Sequence, residues 1–116
     1  MFTAYVILAV LVSVMLIASA TGKLTGHPRV VDSLAELGVP RAWHPWLAAA
    51  ECAGALGLLV GIAIAPLAIA AAIGLILYFA GAVTAHLRAH DTQGLAAPLV
   101  LLALAAVVLW LRLSSL

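Results

Sequence analysis

The sequence predicts an all-α integral membrane protein: a bundle of four transmembrane helices, with a short amphipathic helix at the membrane interface between the first and the second. Of the 116 residues, 67% are hydrophobic and only 8% are charged. The apolar residues gather in four long runs, and each run approaches the roughly 20 helical residues that a bilayer span needs. Because lipid solvates apolar side chains, a chain this short does not need to bury them in a core.

The four apolar runs give the predicted spans, which together form a single domain. The first run is expected to be a retained span and not a cleaved signal, because no Lys or Arg precedes it. Pro66 separates the second and third spans with almost no loop, which predicts a tight helical hairpin. Pro98 suits the first turn of the fourth span. The predicted spans cover about residues 2–20, 46–65, 67–87 and 95–113.

The connection between the first two spans contains the predicted interfacial helix, at about residues 28–37. Its apolar residues recur at helical spacing and leave the charged residues on the other side, which is typical of a helix that lies on a membrane. Pro28 suits its first turn, and Gly38 followed by Pro40 suits its end. The pattern fits both a lid over the mouth of the bundle and a simple strut. The apolar set is Val30, Val31, Leu34 and Leu37.

The loop charges predict the orientation in the membrane. Four basic residues fall at the first and third loops, and one lies on the opposite side. By the positive-inside rule, the first and third loops face the cytoplasm and both termini lie outside. The four are Lys23, Arg29, Arg41 and Arg88, and the one is Arg112. Aromatic residues also mark the two predicted interfaces: Trp43 and Trp46 at one, Tyr5 and Trp110 at the other.

Several functional classes find no support in the sequence. There is no basic run of the kind that follows a phosphate backbone, so nucleic acid is not a predicted partner. The single cysteine, Cys52, excludes an intramolecular disulfide. His86 and His90 would share a helical face only if the third span continued past Arg88, and no metal-ligand signature completes the pair. A metal site is therefore not predicted. No serine has a base at a spacing typical of nucleophilic catalysis, so an enzyme acting alone is not predicted either.

The predicted site is a polar cluster at one end of the bundle, centred on Glu51 in the second span. A charged side chain within a span is unfavourable by roughly 2.5–3.5 kcal/mol on insertion scales, so it usually faces a partner or a cavity. Helix spacing permits Glu51 to accept a hydrogen bond from Lys23 or from His86. Such a pair can simply join helices, or it can line a cavity that grips the head of an amphiphile or moves a proton. A protonated Glu51 is a further alternative. The residues expected at this end are Lys23, His27, Glu51, Tyr78 and His86.

Several stretches of the chain resemble the DoxX-like membrane proteins, over nearly the whole length and in matching order. They are Lys23-Leu-Thr-Gly-His-Pro28, Leu37-Gly-Val-Pro40, the run around Glu51 and Gly81-Ala-Val-Thr-Ala-His86-Leu-Arg. The resemblance implies a four-helix protein of the bacterial inner membrane. It also implies that the recurrent polar and turn positions of that family are Lys23, Gly26, Pro28, Glu51 and His86 here.

The resemblance implies a specific fold but only a broad range of functions. Relatives are linked to thiosulfate:quinone oxidoreductase subunits, to membrane-associated oxidative-stress complexes and to redox maturation of other enzymes. This chain has no cysteine pair with which to carry out thiol–disulfide exchange itself. A quinone or lipid tail between the helices, with Glu51 and His86 at its polar head, fits what remains.

Three functions therefore compete. The first is an accessory or ligand-binding subunit, which holds a quinone or lipid and joins a larger membrane complex, such as a redox complex, or a second copy of itself. The second is a quinone-linked oxidoreductase component. The third is a small proton-coupled transporter, a class that also has four spans and one membrane-embedded glutamate. In that class the glutamate lies in the first span, whereas the first span here carries no charged residue.

Overall fold

The structure, a computed structural model, describes all 116 residues and contains only helices and their connections. Five α-helices follow the chain, and a single 3₁₀ turn, Arg41–Trp43, precedes the third. The all-α part of the predicted fold is therefore confirmed. The helices are α1 (Phe2–Thr25), α2 (Pro28–Glu36), α3 (His44–Val60), α4 (Ala65–Arg88) and α5 (Ala96–Ser114).

Glycine marks the end of α1, and proline marks the starts of α2 and α3. Pro28 lies in the first turn of α2 and Pro45 in the first turn of α3, where a missing N–H removes no helical hydrogen bond. Gly26 ends α1 in the left-handed conformation, with φ 69°. Glycine adopts this conformation without a steric penalty, so the chain can turn sharply from α1 into α2.

The four long helices form a ring in which α1 and α4 each contact both α3 and α5. Polar contacts join α1 to α3 along their length. The Tyr5 hydroxyl donates to the Leu58 carbonyl (2.7 Å), and the Ser13 hydroxyl donates to the Ala55 carbonyl (3.3 Å). Tyr5 is fully buried, so the prediction that it marks a membrane interface is wrong. Its hydroxyl finds a partner inside the bundle and does not need the headgroup region.

Residues 61–64 form the turn between α3 and α4, so the chain reverses before the predicted break at Pro66. Pro66 lies instead in the first turn of α4. Close contact between small residues holds this hairpin together. A Cβ atom added to Gly57 would lie only 2.6 Å from the Cβ atom of Ala71, and Gly61 is similarly close to Ala68. Membrane helices commonly approach one another through such small residues.

Three helices, α1, α4 and α5, are long and apolar enough to cross a membrane. The remaining long helix, α3, has 17 residues. Large apolar side chains on the outside of the bundle are free to contact lipid: Ile7 is 66% exposed, Leu56 62% and Leu77 68%. The chain is therefore a multi-pass membrane protein with lipid around its helices.

Candidate functional site

An ion pair between Lys23 and Glu51 forms the centre of the site. The buried face of α1 includes Leu16 and Ala20, and Lys23 continues that face by one more turn. Glu51 occupies the buried face of α3 and is 1% exposed. The Lys23 Nζ atom lies 2.5 Å from Glu51 Oε1 and also donates to the Ser19 hydroxyl at 2.8 Å. The ammonium group is thus held by one charged and one neutral acceptor.

Tyr78 brings α4 to the same carboxylate. Its hydroxyl donates to Glu51 Oε1 at 3.1 Å, so this oxygen accepts from both Lys23 and Tyr78. The other oxygen, Glu51 Oε2, is buried and has no hydrogen-bond partner. Native structures pair nearly all buried polar atoms, so an unpaired carboxylate oxygen is unusual. The structure thus brings together three of the predicted site residues: Lys23, Glu51 and Tyr78.

His86 lies near the same end but does not contact Glu51. Its Nδ1 atom is 2.9 Å from Asp91 Oδ2, in the connection between α4 and α5. The Gly94 amide donates to the other oxygen of Asp91 at 3.0 Å. This amide hydrogen bond, followed by the one to His86, holds the pKa of the Asp91 carboxyl below its ordinary value. Of the two hydrogen bonds that helix spacing permitted, the structure contains the one between Glu51 and Lys23.

His27 is exposed and lies outside the cluster. It is the N-cap residue of α2, where its Nδ1 atom accepts a hydrogen bond from the Arg29 amide at 3.3 Å. Its observed contact is therefore local to α2. His90 is also separate from His86, because α4 ends at Arg88 and His90 adopts a positive φ of 56°. No group of three or more His, Cys, Asp or Glu side chains is placed to hold a metal ion.

Two apolar grooves meet at Tyr78. The first, which we call the α3–α4 groove, has a volume of about 580 Å³ and runs between these two helices. The second, the α2 groove, has a volume of about 370 Å³ and includes Leu34 and Trp43 in its wall. Both grooves include Leu77 and Tyr78. The small residues that leave room for the first groove are Ala50, Ala53, Gly54, Ala70, Ala71 and Gly74.

The short helix α2 folds back over this end of the bundle. Its apolar residues contribute to the cavities beneath it, and Val30 packs so closely on α1 that a Cβ atom on Gly22 would lie 3.1 Å from it. None of its residues is fully buried. The amphipathic helix therefore covers the polar cluster on one side, and the geometry fits a lid as well as it fits a strut.

Sequence reasoning missed the polar roles of the half-buried Ser19 and of the buried His44 and Arg112. Ser19 lies one turn before Lys23 on α1, so the spacing of four residues could have identified it. His44 is only 5% exposed, and its Nε2 atom has no partner. It precedes Glu51 by seven residues, two helical turns, and thus shares its face. Arg112 is also buried, seven residues after the buried Ala105.

Arg112 fastens the opposite end of the bundle. Its Nε atom donates to the Gly61 carbonyl at 3.1 Å, and its Nη1 atom donates to the Ser115 hydroxyl at 3.0 Å. The guanidinium carbon lies 5.3 Å and 5.4 Å from the ring centroids of Phe2 and Tyr5, within the range of a cation–π contact. α1, α3 and α5 are therefore tied together here by one side chain.

The cluster at Glu51 can do two things chemically. A tyrosine hydroxyl that donates to a carboxylate keeps its own lone pairs free, so Tyr78 can accept a hydrogen bond from a group in either groove. The carboxylate and the ammonium behind it form a short hydrogen-bonded chain, from Lys23 through Glu51 to Tyr78. Such a chain can fix a polar headgroup or carry a proton between the groove and the interior.

One of the comparisons with known proteins identifies a family for this chain. The sequence model of the DoxX-like family matches residues 7–108, which include every residue of the polar cluster. None of the curated proteins and none of the solved structures matches the chain significantly. The match spans most of the chain, from the first turns of α1 to the last turns of α5. The protein therefore belongs to the DoxX-like family.

Proposed function

We propose that this protein binds the polar head of a hydrophobic ligand, a quinone or a lipid, at Tyr78, with the apolar part of the ligand in the adjoining grooves. The observation that carries the proposal is the position of the Tyr78 hydroxyl. It lies where two apolar grooves meet, and it is held by a carboxylate that is itself paired with Lys23.

The chemistry of the grooves favours an amphiphile. Their walls are almost entirely apolar, and ligand sites of this kind combine an apolar lining with a small number of placed polar groups. A quinol hydroxyl could donate to Tyr78. A quinone carbonyl could accept from Tyr78 once the tyrosine hydroxyl turns away from Glu51. A phospholipid headgroup offers acceptors of the same kind.

The proposal includes α3 as the fourth transmembrane helix. Its 17 residues fall slightly short of the roughly 20 that a full span needs. Two features support a crossing: α3 lies within the ring formed by α1, α4 and α5, and its exposed Leu56 and Val60 face outward. A bundle with α3 outside the bilayer would expose the other three helices to lipid on their packed faces.

Attachment to a larger membrane complex, such as a redox complex, or to a second copy also belongs to the proposal, as does a place in the bacterial inner membrane. In that arrangement the protein would hold the ligand for a partner that performs the chemistry. The oxidoreductase and transporter alternatives would both need Glu51 to exchange protons. The 2.5 Å contact with Lys23 favours a positioning role for the carboxylate over such exchange.

Quinone binding can be tested through Trp43, which lies in the wall of the α2 groove. With Trp46 and Trp110 replaced by Phe, a decyl benzoquinone should quench the remaining tryptophan fluorescence saturably in detergent micelles. Tyr78→Phe should weaken this binding about three- to tenfold, the effect of one lost hydrogen bond. Thr84→Val is the matched control, because it removes an exposed hydroxyl from the same helix.

The outcomes of this test separate the two ligands. Unchanged quinone affinity in Tyr78→Phe would remove Tyr78 from the site. If the quinone does not quench, native mass spectrometry on mildly extracted protein should detect a retained lipid that Tyr78→Phe releases. The same spectra would identify a protein companion or a dimer by mass. Absence of quinone, lipid and companion in both experiments would contradict the proposal.

The proposed orientation rests on the loop charges, and the burial of Arg112 supports it. Arg112, the single basic residue on the opposite side, is buried and bonded within the protein, so it contributes little to the charge balance of its loop. A reporter enzyme fused after Leu116 should be active outside the cytoplasm. Cytoplasmic activity would reverse the proposed topology.

A further inference from the structure

A cavity on the other side of Lys23 is lined by basic groups, unlike the apolar grooves. It has a volume of about 300 Å³ and lies between the end of α1 and the start of α3. Lys23, Arg41 and His44 contribute three nitrogen-bearing side chains to its wall, and Thr25 is a further polar residue there. No carboxylate belongs to the lining. We call this space the basic cavity.

The basic cavity contains unused hydrogen-bonding capacity. Arg41 forms no salt bridge within the chain, and its guanidinium lies beside the Gly26 turn, with Nη2 4.0 Å from the position of an added Cβ atom. His44 is 5% exposed, and its Nε2 atom is buried without a partner. A buried ring nitrogen without a partner is unfavourable, so the His44 side chain, which lies in the wall of the cavity, has capacity for a further hydrogen bond.

The surrounding structure fits an anion. The basic cavity adjoins the first turn of α3, the positive end of the helix dipole. Arginine presents a planar fork of donors that matches the oxygens of a phosphate group. The volume exceeds that of several water molecules, each of about 30 Å³, and is sufficient for a phosphate with its ester groups. Trp43 and Trp46, on either side of His44, are 56% and 77% exposed, as expected at a membrane interface.

We infer that the basic cavity is a binding site for a phosphate group, held by the Arg41 guanidinium, with the His44 side chain in the wall turning to give a further hydrogen bond. The position beside two interfacial tryptophans suits the headgroup of an anionic phospholipid, and a free phosphate has the same chemistry. The site is separate from the grooves at Tyr78 and does not rest on the proposed function. No residue lines both the basic cavity and either groove.

The test uses the full-length protein in phosphatidylcholine vesicles that contain bromine-labelled phosphatidylglycerol. Trp110, at the far end of the bundle, is replaced by Phe so that only Trp43 and Trp46 report quenching by bromine. Arg41→Gln should lower the apparent affinity for phosphatidylglycerol at least about tenfold, because charge-assisted hydrogen bonds are lost. Arg88→Gln is the matched control: the same charge is removed at the same end, but outside the cavity. It should lower the affinity about fivefold or less.

His44→Phe provides a second variant, since it keeps a ring in the buried position and removes the nitrogen. It should also lose the preference for phosphatidylglycerol while its helical circular dichroism matches the parent.

Inorganic phosphate then distinguishes the two sources of the phosphate group, a lipid headgroup and a soluble anion. Competition by phosphate identifies a site for a soluble anion, and its absence identifies a lipid site; either result supports a phosphate group as the ligand. Equal losses in Arg41→Gln and Arg88→Gln would overturn the inference, because they would show surface attraction alone.

Discussion

The two ends of the bundle solve the same problem in different ways. Each brings a basic side chain into an apolar interior, Lys23 at one end and Arg112 at the other. Arg112 bonds a backbone carbonyl and a serine hydroxyl and lies against two aromatic rings. Lys23 instead pairs with Glu51, whose second oxygen has no partner. Lys23 lines the basic cavity, and Tyr78, which donates to the same carboxylate, lines both grooves.

This difference distinguishes an end that joins helices from an end that can bind a ligand. Arg112 donates two hydrogen bonds within the protein, contacts two rings and lines no cavity, so it has only the helices to hold. A cluster whose polar side chains also line grooves and a cavity has capacity for a ligand. The Arg112 end therefore serves stability, and we expect the Glu51 end to give up some stability for binding.

The largest effect should follow from breaking the ion pair on one side. Lys23→Met leaves Glu51 buried without its cation, and we expect a loss of about 3–5 kcal/mol in the free energy of unfolding, measured by denaturant titration in detergent. The double variant Lys23→Met/Glu51→Met should recover most of that loss, since buried ion pairs can often be replaced by apolar residues. Ligand binding should not return with it. Recovery of both would make the pair a structural element only.

Removing Arg112 should have a smaller effect of a different kind. Arg112→Ala deletes two charge-assisted hydrogen bonds and the cation–π contacts, and we expect about 2–3 kcal/mol of destabilisation. Quinone quenching of Trp43 should be unchanged in the folded fraction, since the grooves lie at the far end. A matching loss of ligand affinity would show that the two ends are coupled.

The hairpin contact near the Arg112 end offers a finer test. Gly57→Ala would force a Cβ atom against Ala71, so α3 and α4 must separate, at about 1–3 kcal/mol. Gly81→Ala on α4 is the control, because nothing lies within 4 Å of its added Cβ atom. It should be neutral or stabilise slightly through helix propensity, by up to about 1 kcal/mol. Thermal unfolding of the two variants should differ in sign or clearly in size.

The smallest expected effect on stability is that of acid on Asp91, at the Glu51 end of the bundle. The folded pKa of Asp91 lies below its ordinary value of 3.8, so its contribution to stability is present above that value and disappears as the pH falls through the lowered pKa. The Gly94 amide signal in NMR should titrate with a midpoint below 3.8. Asp91→Asn should abolish this titration. The Gly61 contact to Arg112 contains no acid and should not respond over the same range.

Much of the fold was accessible from the sequence because it depends on local patterns. Hydropathy located four of the five helices, and the spacing of Val30 and Leu34, with Pro28 before them, located α2. The turn at 61–64 was displaced by a few residues in the prediction, because Pro66 is compatible with the start of a helix as well as with a break.

The site was accessible only in part, because long-range pairing is not encoded in spacing. Helix depth allowed Glu51 to meet either Lys23 or His86, and only the packing of α1 on α3 decides between them. His86 bonds instead to Asp91, which lies in a loop whose path no periodicity predicts. Arg112 was counted in the sequence only as a charge on the outer side. Its bond to the Gly61 carbonyl could not be predicted, because the two residues lie 51 positions apart in the chain.

The short length of α3 has a consequence for the membrane itself. At 1.5 Å per residue, α3 is about 25 Å long, whereas α1 and α4, with 24 residues each, reach about 36 Å. In the proposed topology, in which α3 also crosses the membrane, a bilayer of about 30 Å hydrocarbon thickness would thin beside α3 while the longer helices tilt. Headgroups and water would descend at that one point of the perimeter, toward the start of α3. The protein would then draw the polar surface of the membrane down toward both proposed sites, so that one headgroup reaches Arg41 in the basic cavity and another reaches Tyr78 at the grooves without leaving the interface.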